Sequence, residues 1–437
     1  MAFDGIVVAN IIKELKSTVL SGRISKIAQP ESDALLLTIK GTNGQHRLLL
    51  SASASLPFVY LTATNRPSPM TAPNFCMLLR KFIANGKITD ITQPGLERII
   101  RFDIEHLDEL GDLRQKRLIV ELMGKHSNII FCDDSGRIID SIKHIPASVS
   151  SVREVLPGRD YFIPNTQEKS DPLTATPETI VQDACNRPAT LAKAFYLTYT
   201  GISPTVANEV CHRAGLDADA HTDSLGADKK LHLANEFFWL ISDIKEEKFE
   251  PCMIKKGAEP IEFSAINLRE YSDYPDYTCE RYDSICEVLE RFYADKDLYT
   301  RIRQKSVDLR RIVNTALERD VKKLALQQKQ LKDTEKREKY KVYGELLQAY
   351  GYGVEEGAKK LEALNYYTNE MITIPLDPQL SAQENAQKYF AKYNKLKRTY
   401  EALLELTVEV QDEITYLESV ANSLDIAVTE EDLAAIK

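Results

Sequence analysis

The chain has 437 residues, of which 43% are hydrophobic and 28% charged, with a formal net charge of −9. That length supports two or three domains without disulfide staples, no apolar run reaches the roughly 20 residues a bilayer-spanning helix needs, and the acidic total argues against general adhesion to nucleic acid. Seven cysteines, an odd number with no Cys-x-x-Cys pair, exclude a fully paired disulfide framework and predict reduced structural thiols in a cytosolic protein.

The seven histidines show no ligand-like spacing, so neither a metal nor a cofactor is predicted. Asp4 and Asn10 interrupt the first apolar segment, and no export signal or membrane anchor is expected. Charge is distributed unevenly. Residues 1–170 carry 21 Lys and Arg against 18 Asp and Glu, whereas the remainder carries 35 against 47. Any RNA-binding surface must therefore be a local patch.

In chain order, residues 6–20 have apolar side chains at helical spacing and end near Gly22, which predicts a helix. Alternating, β-branched segments at 23–29, 34–39, 46–51 and 58–62 predict strands, with a Gly-Thr-Asn-Gly turn at 41–44. A second helix is predicted over 75–85, started by Pro73 and Asn74 and stopped by Gly86. Arg80 and Lys81 close it, where cations complement the helix dipole. Strands resume at 88–93, 99–105, 117–122, 129–132 and 136–142. Residues 1–172 thus read as an α+β domain built on antiparallel sheets, with a Pro-rich exit near Asn165.

Residues 173–282 read as an all-α domain. Gly201, Ser203 and Pro204 suit a helix–hairpin–helix, with Gly201 in the turn, Ser203 as cap and Pro204 in the first turn of the second helix. Such a hairpin can offer backbone N–H groups to a phosphate, and it can equally be a plain connection. Residues 283–437 predict a long antiparallel coiled coil with a small tip subdomain at about 350–380. One seam runs through Tyr393, Leu396, Tyr400, Leu403, Thr407, Val410, Ile414, Leu417, Ala421 and Leu424, alternating three and four. The facing seam is looser: Ile302, Leu309, Val313, Leu317, Val321, Leu324 and Leu331.

Two places suggest chemistry. Gly124, Lys125, His126, Ser127 and Asn128 lie between apolar, strand-like runs, and their donors suit phosphate or ribose oxygens. A solvent-facing hairpin turn has the same composition. Glu97-Arg98 follows a Pro-Gly turn, where a carboxylate beside a guanidinium can receive hydroxyls and clamp a phosphate. A surface ion pair of little energetic value is the competing reading. No P-loop, Gly-x-Ser-x-Gly or dinucleotide fingerprint is present, and no catalytic constellation is found.

Gly-Lys-His-Ser-Asn-Ile-Ile at 124–130 resembles the signature of the NFACT family, the ribosome quality-control factors also known as fibronectin-binding protein A-like. Further passages fit in the same order: Met-Ala-Phe-Asp-Gly-Ile at 1–6, Asn-Phe-Cys-Met-Leu-Leu-Arg-Lys at 74–81 and Gly-Leu-Glu-Arg-Ile-Ile at 95–100. Leu-Pro-Gly-Arg-Asp-Tyr at 156–161 and Glu-Asn-Ala-Gln-Lys-Tyr-Phe at 384–390 complete the match. The resemblance implies an N-terminal domain folded like the formamidopyrimidine-DNA glycosylases. Ala2 and Phe3 replace the proline and glutamate of those enzymes, so no glycosylase is expected. Instead it implies binding to a large ribosomal subunit, through its rRNA and proteins, that still holds peptidyl-tRNA. Delivery of tRNA, favouring alanyl-tRNA, would then extend the stalled chain without a template.

On that resemblance Glu97, Arg98, Lys125, His126, Ser127 and Asn128 are assigned to tRNA, with Arg80, Lys81, Gly201 and Ser203 as RNA phosphate contacts. The family's pair is Asp-Arg where this chain has Glu97-Arg98. The resemblance also implies a further C-terminal domain beyond the second coiled-coil helix, and the expectation is that residues 1–437 do not include it. The competing functions are a fibronectin-binding surface adhesin, which would call for an export signal or anchor, and a coiled-coil scaffold.

Overall fold

In the computed structural model, residues 3–164, 168–426 and 432 are described, without the side chains of 297–305 and 425–426. The expectations for Ala2, for the exit at Asn165 and for the Ile302 side chain therefore lie outside the described residues. The chain divides into two compact units, Met1–Leu298 and Tyr299–Lys437. The first is α+β with antiparallel sheets, and the second is dominated by long helices.

The first unit opens with helix α1, Gly5–Thr18. Strands β1 (Arg23–Glu31), β2 (Ala34–Gly41), β3 (Gly44–Ser51) and β4 (Phe58–Thr62) form one antiparallel meander. After helix α2, Asn74–Ile83, a second meander follows: β5 (Lys87–Thr92), β6 (Ile99–Leu107), β7 (Leu113–Glu121), β8 (Asn128–Asp133) and β9 (Ile138–Ser141). The two join where β1 meets β5, through Ile24 N–H to Gly86 O and Ile88 N–H to Gly22 O, each 2.9 Å. The result is a nine-stranded sheet of order β4-β3-β2-β1-β5-β6-β7-β8-β9. In β2 the run Ala34–Ile39 is buried on both faces, as its near-continuous apolar sequence requires.

Four helices come next: α3 (Pro177–Ile180), α4 (Leu191–Thr198), α5 (Pro204–Arg213) and α6 (Ala227–Lys245). The all-α expectation for 173–282 is corrected here. Strands β10 (Cys252–Lys256), β11 (Glu259–Ser264) and β12 (Tyr277–Arg281) form an antiparallel sheet of order β11-β10-β12. Each strand is only five or six residues long, and the all-α reading passed over them although Gly257 at φ +59° marks the β10–β11 turn. One hydrophobic core gathers Ile6, Leu37, Phe102, Phe195, Phe237, Phe263 and Leu289, from α1 to the start of α7, Ile285–Asp333. Residues on both sides of position 172 thus share a single core.

In the second unit α8 (Arg337–Tyr350) and α9 (Ala382–Ile426) flank a hairpin of β13 (Lys360–Asn365) and β14 (Glu370–Pro375). Tyr343, Leu346, Ala363, Ile374 and Tyr389 form the hairpin's core against α8 and α9. Helix α7 runs antiparallel to α9: Val313 packs with Leu424, and Arg319 pairs with Glu413 at 3.5 Å. The α9 seam buries Leu403, Val410, Ile414 and Leu424 as its spacing predicts. The α7 seam differs from expectation, since Val321 is exposed and Asp320 and Gln327 are buried.

With those two polar residues included, 313, 317, 320, 324, 327, 331 and 334 form a regular four–three seam. Asp320 is held by two hydrogen bonds from Arg319. Gln327 Oε1 has no partner among the described residues, and an unmet buried acceptor costs about 1–3 kcal/mol. Gln327→Leu should therefore raise stability by about 1–3 kcal/mol, read as a higher urea midpoint. A midpoint at or below that of the unsubstituted protein would contradict this seam.

Candidate nucleic-acid interface

Three segments of the first unit meet around Asp4. Its carboxylate caps α1, with Oδ1 accepting from Ile6 N–H (3.0 Å) and Val7 N–H (2.9 Å), while Oδ2 accepts from the Ser203 hydroxyl (2.7 Å). Ser203 in turn caps α5 by accepting from Val206 N–H at 3.2 Å. Gly5 N–H donates to Gly201 O at 2.9 Å, and both glycines press on the Leu96 carbonyl. A Cβ on either would lie 2.0 Å from that oxygen. Gln93 Nε2 completes the joint by donating to Gly5 O (2.9 Å) and Glu97 O (2.8 Å).

This joint presents the 93–98 loop, with Glu97 and Arg98 half-buried at its end. Burial pushes the Glu97 carboxyl up, opposed by Arg98 and Lys169 and reinforced by Asp171 and Glu121. Burial also pulls the Arg98 guanidinium down, opposed by the Asp4 and Glu97 carboxylates. Lys169 is pulled down by burial and by its neighbours Arg98 and Arg187. Cations and carboxylates thus lie within electrostatic reach of one another in a partly desolvated region, where charge-assisted hydrogen bonds to phosphate and hydroxyl groups gain strength.

The β7–β8 turn lies at the same end of the sheet, since Leu122 N–H donates to Arg98 O at 2.9 Å. Within it Lys125 and His126 are exposed. Ser127 and Asn128 are buried and turned inward. Ser127 Oγ accepts from Met123 N–H, Asn128 Oδ1 accepts from Ile129 and Lys143 N–H, and Asn128 Nδ2 donates to Lys143 O. Their role is to shape the turn, which leaves Lys125 and His126 as the side chains that can reach a ligand.

The expected phosphate contact at Ser203 is also corrected, whereas Gly201 is half-buried with its carbonyl accepting from Gly5 N–H. Ser203 is 5% exposed, and the Asp4 carboxylate already occupies the anion position beside the start of α5. Arg80 and Lys81 lie toward the opposite end of the sheet. Arg80 Nε donates to Ile27 O at 2.9 Å, and Lys81 approaches Glu109 at 3.8 Å in the β6–β7 turn. The structure therefore brings Glu97, Arg98, Lys125 and His126 to one end and separates Arg80 and Lys81 from them.

Several residues of this region escaped sequence reasoning. Asp4, Lys169, Asp171 and Glu262 have no local spacing signal, although Asp4 lies within the Met-Ala-Phe-Asp-Gly-Ile passage. Glu121, wholly buried, pairs with Arg153 and accepts from Tyr161 Oη at 2.9 Å. That network ties the 145–163 segment to the end of β7, and Tyr161 belongs to the Leu-Pro-Gly-Arg-Asp-Tyr passage.

Residues 4–437 match the family described as NFACT N-terminal and middle domains. The chain belongs to the NFACT family. It is 36% identical over 435 residues to "Rqc2 homolog RqcH" of Bacillus subtilis, covering 98% of this chain and 73% of that protein. The protein of the same description from Streptococcus pneumoniae (strain D39) is 32% identical over 432 residues, 99% of this chain and 73% of the relative. Among solved structures, the fibrinogen-binding protein of Staphylococcus aureus superposes with a TM-score of 0.57 at 29% identity, covering 67% of this chain and 99% of that one. The N-terminal part of the fibronectin/fibrinogen-binding protein of Streptococcus suis gives 0.55 at 29%, covering 67% and 100%. No described helix of this NFACT chain is long and apolar enough to cross a membrane.

Proposed function

We propose that this NFACT protein is a ribosome-associated quality-control factor that engages an obstructed large subunit and its tRNA. The observation that carries the reading is the near-full-length similarity to the Rqc2 homologues. The finer reading is delivery of alanyl-tRNA to the stalled complex, for template-free alanine tailing of the nascent chain. Peptide transfer itself belongs to the ribosome, and this chain positions substrates. In that scheme Glu97 and Arg98 receive ribose and phosphate groups of the tRNA, with Lys125 and His126 on its backbone. The antiparallel α7–α9 pair is read as a coiled-coil arm whose β13–β14 hairpin meets the subunit surface.

The test is co-sedimentation with isolated large subunits, with and without peptidyl-tRNA, followed by sequencing of crosslinked RNA. Enrichment of tRNA with occupied subunits is the expected result. Arg98→Ala should cut tRNA recovery about tenfold or more, since a charge-assisted contact is worth about 1.5–3 kcal/mol. Unchanged recovery would remove Arg98 from the site. A second reading is favoured by the titles of the solved neighbours, which name fibrinogen and fibronectin. Saturable fibronectin binding without any subunit association would replace the first reading with that one.

A further inference from the structure

Helix α9 changes charge abruptly at Tyr400. Residues 385–400 contain Lys388, Lys392, Lys395, Lys397 and Arg398 with no acidic residue, and 401–426 contain seven Asp or Glu with no Lys or Arg. A solvated coiled-coil face normally mixes both signs along its length. All five cations are exposed. Lys388 pairs with Asp377 at 2.8 Å, whereas Lys392, Lys395, Lys397 and Arg398 have no carboxylate within ion-pair distance among the described residues. Lys392 lies over the rings of Tyr340 and Tyr389, at 5.3 and 5.6 Å. Asn394, Lys395, Arg398 and Thr399 line a shallow depression beside it.

We infer that this half of α9 is an RNA-binding surface that grips a phosphate backbone through Lys392, Lys395 and Arg398. The inference rests on the function proposed above, in which the ribosome supplies the RNA. The three residues are three apart, so they climb the helix by about 4.5 Å per step and turn gradually around it. That arrangement can follow a curved polyanion without reading bases. Exposed cations without an ion pair contribute little to folding, and among the described residues only Lys392 of these four has a packing contact, over Tyr340 and Tyr389, so folding alone does not account for their concentration. A lipid surface fits less well, because Ala391, Asn394 and Thr399 on the same face provide no large apolar side chain to insert. The adjoining acidic half repels a polyanion, which confines the bound strand to the basic half.

The test uses the full chain and a 24-base-pair RNA duplex, with anionic lipid vesicles as a parallel probe. The triple variant Lys392→Ala, Lys395→Ala and Arg398→Ala should bind the duplex about tenfold or more weakly. Its slope of log affinity against log salt should be shallower by about 2 to 3, as expected for three lost phosphate contacts. The charge-preserving variant Lys392→Arg with Lys395→Arg should restore both, and circular dichroism should show the same helix content throughout. Equal affinity and slope for the triple variant and the parent would overturn the inference. So would duplex affinity undetectable in the parent, or vesicle binding in place of RNA binding. Large-subunit co-sedimentation separates the two claims. Subunit association with duplex binding indifferent to the triple variant leaves the function and removes this surface. Variant-sensitive duplex binding without subunit association does the reverse.

Discussion

Gly201→Ala is expected to destabilise the first unit by more than about 4 kcal/mol, enough to abolish soluble, folded protein. Two effects add. Gly201 has φ +77°, a left-handed backbone that costs an L-residue about 1–2 kcal/mol. The larger effect is steric, because the new Cβ would lie 2.0 Å from Leu96 O and 2.8 Å from Leu96 Cβ. Neither obstacle is the tip of a flexible side chain. Relief requires moving the α4–α5 turn away from the 93–98 loop, which breaks the Gly5–Gly201 hydrogen bond and uncovers Leu96. Gly215→Ala provides the control. Its φ is +69°, yet nothing lies within 4 Å of its Cβ position, so only the backbone cost of about 1–2 kcal/mol applies. Urea unfolding of the two variants measures the difference. Equal midpoints would show that the three segments do not meet as tightly as described.

The same joint explains why part of the candidate site was legible in the sequence and part was not. Strands β1 to β9 follow from local alternation and from Gly or Asn turns, because antiparallel meanders are built from neighbours in sequence. The α9 seam follows from apolar spacing alone. Its α7 partner was misread because Val321 is apolar and Asp320 is not, whereas the burial register passes through Asp320. Strands β10 to β12 were passed over; β12, Tyr277–Arg281, has no fully buried residue to mark an apolar face. At the site, Glu97-Arg98 and Lys125-His126 stood out as polar residues at turns. The inward orientation of Asn128 and Ser203 did not, since their partners Lys143 and Asp4 lie 15 and 199 residues away in sequence. Sequence spacing shows which residues share a strand or a helix face. It does not show which carboxylate already fills a helix N-terminus.

That carboxylate carries the second large effect. Burial raises the Asp4 pKa from 3.8 to about 6, against hydrogen bonds from Val7, Ser203 and Ile6 that lower it, while Glu262 adds to the rise. Between those two values the folded protein holds a proton that the unfolded chain has released. The stability from this group is therefore complete below about pH 4 and lost as pH rises through about 6, a swing of about 3 kcal/mol. Asp4→Asn removes the titration and keeps the cap. Asn Oδ1 can still accept from Ile6 and Val7, and its amide can donate to Ser203 Oγ. Measured by urea unfolding at each pH, the stability of Asp4→Asn relative to the parent should rise by about 2 kcal/mol from pH 4 to pH 7. Other carboxylates are common to both proteins and cancel in the comparison. A difference that stays constant across that range would mean that Asp4 does not titrate near 6. At neutral pH the parent therefore keeps a buried charge that a neutral amide would avoid. The physical return lies beside it: the Asp4 carboxylate supports the half-buried Arg98 guanidinium. The same substitution should thus weaken tRNA crosslinking at Arg98 even as it stabilises the fold. Unaltered crosslinking would separate the cap from the site.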